Sequence, residues 1–206
     1  MPNPTRPPLL PMALLLALAL SPPASAQPAP TCGDPNADRS ITACSAIIAA
    51  NRPDPIARAA AYAHLGHAYL TMNLPDRAIP AFDEATRLNP RLAAAFKDRA
   101  AARTLKNQPE QAVADLSEAI RLAPNDAEAF NARGQAHIAL RAPDTAIADF
   151  DEAIRLKPDY AQAFFNRGSA HGLKGQSGRA MADWTQAAKI DPSVLPGDKP
   201  APKPAP

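Results

Sequence analysis

Glycine, aromatic residues and cysteine are all sparse in this chain, and neither sign of charge prevails. Its 206 residues include 8 glycines and two cysteines, aromatics make up 5%, and the formal charge is +2. No glycine-rich loop of the kind that cradles phosphates is present. With so few rings and 46% hydrophobic residues, the core is filled mainly by Ala and Leu. That favours closely packed helices, because Ala is the strongest helix former and adds little volume between backbones. The near-neutral balance, with no basic stripe interleaved with aromatics, argues against a nucleic-acid partner. No nucleophile with a base and an orienting partner can be assembled from local motifs, so no enzyme is expected and no cofactor is implied. The apolar run from Leu9 to Leu20 contains Pro11 and falls short of the about 20 residues that a spanning helix needs.

That run belongs to a leader. Residues 1–26 carry Arg6 in a short polar region, then the apolar run, then Ala24, Ser25 and Ala26 before Gln27, the pattern of an export signal cleaved after Ala26. The mature chain is expected to be periplasmic or extracellular, with no membrane span after cleavage and a charge of +1 (21 basic less 20 acidic residues). No Cys directly follows the small-residue site, so a lipidated terminus is not suggested. Cys32 and Cys44 form an even pair in an exported chain and read as one disulfide. Chain entropy gives so short a loop about 3 kcal/mol, which would staple the first element to the segment before it. A shared metal is the alternative, but no Cys or His stands near at ligand spacing.

What the chain has in abundance is self-similarity. Slid by 34 residues, it matches itself: prolines at Pro90, Pro124, Pro158 and Pro192, alanines at Ala78, Ala112, Ala146 and Ala180. An aromatic recurs at Tyr62, Phe96, Phe130 and Phe164, and Phe82, Leu116, Phe150 and Trp184 share another slot. A fixed period of this length means stacked supersecondary units. Within residues 127–158, apolar positions follow a helical period in two runs, separated by Arg141, Ala142, Pro143 and Asp144. Pro143 suits a first helical turn, and Asp144 places negative charge at the positive helix end. Each unit is therefore a helical hairpin, and Gly66, Ala100, Gly134 and Gly168 are small residues that let its two helices approach. Of the 25 prolines only eight fall within residues 59–192, so both flanks are non-helical. Beyond Pro192, a Pro-rich tail (193–206) with Lys199 and Lys203 cannot bury a core and is expected to be disordered. Pro80, about one turn inside a helix, is expected to bend or loosen it.

With the small residue and aromatic in its first helix and the Ala, aromatic, Ala and Pro series in its second, the unit resembles the tetratricopeptide repeat. The resemblance covers residues 59–192 and implies an all-α, right-handed solenoid of four hairpins (59–92, 93–126, 127–160 and 161–192). Tyr69 keeps the family's usual aromatic in one slot, which Arg103, His137 and His171 occupy in the other units. Residues 27–58 read as a disulfide-stapled cap and linker. About residues 37–50 form a capping helix, with Cys44 in the aromatic slot, and 51–55 form the linker.

The resemblance implies a concave groove lined by the first helices, which commonly receives an extended peptide or a partner helix. Residues expected to face it include His64, His67, Lys97, Asn131, Gln135, Asn166 and Ser169. Their amides and the one Lys suit a peptide backbone or a terminal carboxylate, and a solvated polar face is the bland alternative. Ala101 stands where family members that clamp chaperone tails have Asn, which argues against that activity. Arg99, Arg133 and Arg167 repeat at 34, as do Asp115, Asp149 and Asp183, while the first unit has Leu65 and Ala81 in those slots. Joint gain and loss points to structural ion pairs within each hairpin; an arginine ladder for anionic ligands is the functional alternative. The expected function is a module holding a protein or peptide partner in a cell-envelope assembly. A metal or small-ligand site at His64 and His67, an enzyme with a dispersed site, and weak self-association through Met181 and Trp184 are the other readings.

Overall fold

A computed structural model describes residues 31–50 and 54–195. Among them lie nine α-helices and no strand: α1 (Ala37–Ala49), α2 (Pro55–Thr71), α3 (Pro75–Leu88), α4 (Ala93–Leu105), α5 (Pro109–Leu122), α6 (Ala127–Ala139), α7 (Pro143–Leu156), α8 (Ala161–Leu173) and α9 (Ser177–Ile190). Each packs against the next in the chain, the arrangement of a solenoid in which no hairpin can bury its apolar side alone. Residues 1–30, which include the expected leader, residues 51–53 of the expected linker and the tail beyond Leu195 lie outside the described residues. None of the described helices is long and apolar enough to cross a membrane.

Caps explain where the helices start. Asn36 accepts from the Arg39 amide at the head of α1, and Asp126 accepts from the amides of Glu128 and Ala129 at the head of α6. Asp54 caps α2, with Pro55 as its first residue. The first hairpin thus begins four residues before position 59, and Pro55, read as linker, opens the helix, since its missing N–H costs nothing there. Pro75, Pro109 and Pro143 open α3, α5 and α7, each followed by an acidic residue. At the turn inside every hairpin one residue adopts positive φ: Asn73, Asn107, Arg141 and Gly175, spaced by 34. Each is the left-handed residue of a Schellman stop. The next amide reaches back five residues, as from Leu74 to the Tyr69 carbonyl (2.9 Å) and from Ala142 to that of His137 (2.9 Å).

Pro80 does not break α3, which runs through it unbroken. Its ring is on the exposed side, where the carbonyl four residues earlier can turn to water. After α9 the described residues make a short 3-10 turn, Pro192–Val194, so the tail assigned from residue 193 begins inside that turn.

The core is a column of small residues around one large side chain per hairpin. Phe82 and Phe150 are wholly buried and Leu116 nearly so. A methyl group at Gly66 or Gly134 would stand 2.7 or 2.5 Å from the facing Phe ring, and one at Gly168 2.8 Å from Trp184. The only hairpin with Ala in that slot, Ala100, has the smaller Leu116 opposite. Size is therefore exchanged between the two helices at constant volume, as close packing demands. At the amino end Cys44, fully buried, is bonded to Cys32. Ser40 takes the Gly33 amide at 3.1 Å, so the loop before α1 is tied down beside α2.

Candidate functional site

Two systems of polar residues run along the array. The first is buried between the helices. Arg99 lays its Nε and Nη2 on Asp115 at 3.0 and 2.6 Å, Arg133 grips Asp149 at 3.0 and 2.6 Å, and Arg167 grips Asp183 at 2.9 and 2.6 Å. All three are contacts inside one hairpin. The remaining nitrogen reaches the preceding hairpin, a contact that sequence reasoning missed: Arg99 Nη1 to Asp83 (2.7 Å), Arg133 Nη1 to Ser117 (3.2 Å) and Arg167 Nη1 to Asp151 (2.6 Å). One guanidinium thus ties three successive helices. It also lies 5.3 to 5.5 Å over the Phe ring one turn before it, Phe96, Phe130 or Phe164. Asp183 and Asp151 hold the Arg167 guanidinium above its ordinary range, against the opposing effect of burial.

The slot in which the units depart from Tyr69 completes this system. Arg103 Nη1 donates to Asp115 at 2.6 Å, while His137 and His171 stand 3.7 and 3.9 Å from Asp149 and Asp183. Tyr69 accompanies Leu65 and Ala81, an apolar trio. Where the carboxylate is present, a basic or imidazole group faces it, as a buried charge requires. The carboxylates are only 4 to 10% exposed, and the guanidiniums of Arg99, Arg133 and Arg167 are spent on them.

The second system is the concave face. The backbones of α2 and α4, and of α6 and α8, approach directly, whereas α4 and α6 do so least. Between them opens a pocket of about 560 Å³ whose apolar part is Leu70, Ala100, Ala101, Leu105, Leu116 and Ala132 and whose polar part includes Lys97, Asp98, Glu128, Asn131, Gln135 and Tyr160. Of the residues assigned to the groove, Lys97, Asn131 and Gln135 are here. Gln135 also lines a small neighbouring hollow with Asn166 and Ser169. His64 and His67 line a separate cleft beside Gly33, Asp34 and Ser40. They are not brought together with the rest, although His67 Nδ1 lies 3.3 Å from Asp98 Oδ2. Among the described residues no three His, Cys, Asp or Glu side chains cluster closely enough to hold a metal.

Much of this face is bonded to itself. Lys97 Nζ donates to Asp126 (2.8 Å) and Glu128 (3.2 Å). Burial disfavours its charge, and these two carboxylates more than compensate, raising its pKa. Asn131, 5% exposed, accepts from Asn166 at 2.9 Å and donates to the Tyr160 hydroxyl at 3.4 Å, while Gln162 donates to Asn166 at 3.0 Å. Ser169 returns its hydroxyl to the Phe165 carbonyl. Asp98, Glu128, Tyr160, Leu70 and Leu105 escaped the sequence reading. Tyr160 sits in a loop with no aromatic counterpart one period away, and Leu105 occupies a slot that holds Thr71, Ala139 and Leu173 in the other units.

A family model described as tetratricopeptide repeat matches residues 64–127, 101–161 and 131–194, together well over half of the chain. The chain belongs to the tetratricopeptide repeat family. Among solved structures, this tetratricopeptide repeat array is similar to MamA, at TM-score 0.70 and 24% identity over 76% of this chain and 90% of that one. It is similar to MamA from Desulfovibrio magneticus RS-1 at TM-score 0.69 and 20% identity, over 76% and 86%. It also resembles YrrB, described as a TPR protein with an unusual peptide-binding site, at TM-score 0.66 and 23% identity over 76% and 78%. No curated protein matches the chain.

Proposed function

We propose that this chain is a non-enzymatic interaction module that acts after export, in the cell envelope, by holding an extended segment of another protein along the concave face. The observation that carries the reading is the open pocket between α4 and α6, with an apolar floor and a polar rim. An extended segment needs such a combination: side chains entering apolar recesses and backbone groups meeting fixed polar partners. The buried arginine system keeps that surface preformed, so little ordering entropy is lost on binding. Peptide binding by YrrB is consistent with this use of the fold. The leader-like pattern of residues 1–26 and the Cys32–Cys44 bond support the location.

Photo-crosslinking in living cells tests it. A photoreactive residue at Gln135, on the groove, is expected to capture a discrete partner band outside the cytoplasm. The same residue at Glu118, on the second-helix side, is expected not to. Equal capture from both positions, or capture only in the cytoplasm, would overturn the proposal.

A further inference from the structure

We propose that the pocket between α4 and α6 takes a cationic segment, a stretch bearing arginine or lysine whose aliphatic stem lies on Leu70, Ala101 and Leu105 and whose charged head meets Asp98 and Glu128. The inference rests on the groove reading above and adds the chemistry of the occupant.

The rim of the pocket reads differently in three dimensions than along the chain. By composition Lys97 and the amides suggest donors for a carboxylate. In the structure those donors are committed elsewhere. Lys97 is held by Asp126 and Glu128, and Asn131 is engaged at both ends by Asn166 and Tyr160. What the rim still offers is acceptors. Asp98 and Glu128 on the rim, with Asp126 beside them, stand against the one cation Lys97, an excess of two formal negative charges among these four groups (three less one). Glu128 is 67% exposed, and Asp98 meets only the His67 ring among the described residues. The Tyr160 phenol reports the same field: burial first, then Glu128 and Asp126, push its pKa up. Leu105, 57% exposed, supplies apolar surface of the kind a lysine or arginine stem covers. A carboxylate-ended segment would meet repulsion here, whereas a guanidinium or ammonium finds acceptors already placed.

The test uses the full mature chain, 15N-labelled, titrated with three blocked eight-residue peptides. All are built of alanine, leucine and proline, and they differ only in carrying two arginines, two glutamines or two glutamates. The arginine peptide is expected to shift the amide resonances of Leu105, Ala132 and Tyr160. Its affinity is expected to exceed that of the glutamate peptide at least tenfold, and to fall about tenfold in Asp98→Asn/Glu128→Gln and on raising salt. Asp98 is 32% and Glu128 67% exposed, and an unchanged far-UV spectrum will show that the variant folds. Tighter binding of the glutamate peptide at the same resonances would overturn the charge inference and leave the groove reading standing. Peptides that shift none of these resonances, or only those of α5 and α7, would overturn both.

Discussion

Removing Asp149 alone should harm the array far more than replacing its whole polar trio. Asp149 is 8% exposed and receives two nitrogens of Arg133, itself 22% exposed, with His137 at 3.7 Å. Asp149→Ala leaves a guanidinium and an imidazole facing an apolar gap. Breaking a buried pair in this way costs about 3 to 5 kcal/mol, and the partial exposure of Arg133 puts the expected loss at about 3 kcal/mol. For an array of this size that lowers the melting temperature by about 6 to 12 °C. The first hairpin already contains the apolar solution, Leu65, Tyr69 and Ala81. Arg133→Leu/His137→Tyr/Asp149→Ala copies it into the third hairpin and should lie within about 1 kcal/mol of the natural protein, or above it. Asp151→Ala, at a carboxylate 54% exposed, should cost under about 1 kcal/mol. Urea unfolding followed by circular dichroism measures all three. A triple variant as unstable as the single one, or an Asp149→Ala protein of natural stability, would refute the view that these ions serve packing between helices.

Three further outcomes follow from the same geometry. Gly134→Ala gains about 1 kcal/mol in helix propensity but pushes a methyl to 2.5 Å from the Phe150 ring, an overpacking cost of about 1 to 3 kcal/mol. The net loss should be recovered by adding Phe150→Leu, the pair found at Ala100 and Leu116, in a double-mutant cycle. Arg141→Gly should raise stability by about 1 kcal/mol in thermal melts, because Arg141 holds φ at 57°, where an L side chain is strained. Asp126 is pushed up by burial but held below its ordinary 3.8 by Lys97 and two backbone amides. Its contribution is therefore complete above pH 3.8 and is lost as pH falls through the lower folded value. Asp126→Asn, which keeps a capping oxygen, should cost under about 1 kcal/mol at neutral pH, and the difference from the natural protein should vanish in acid.

How much of this was legible in the chain depends on distance. The hairpins were, because their marks recur every 34 residues and obey local rules: prolines at helix starts, small residues opposite large ones, helical spacing of apolar positions. The Arg99, Arg133 and Arg167 forks were also accessible, since their presence follows that of Asp115, Asp149 and Asp183 unit by unit. The third arm of each Arg was missed because Ser117 replaces the carboxylate in one unit and breaks the pattern. The left-handed turn residue was overlooked because Asn73, Asn107, Arg141 and Gly175 share a backbone angle and not a side-chain type. The groove was the least legible. Whether Lys97 is available depends on Asp126 and Glu128, about 30 residues away, and so on how one hairpin is set on the next. The opening between α4 and α6 is a product of that stacking and leaves no mark in any single unit.

Hydrogen–deuterium exchange on the chain with and without its crosslinked partner tests the central claim most directly. Occupation of the concave face predicts slowed exchange in α4 and α6, over residues 97–105 and 131–135, with α5 and α7 unchanged. Protection confined to α5 and α7, or to α1, would contradict it.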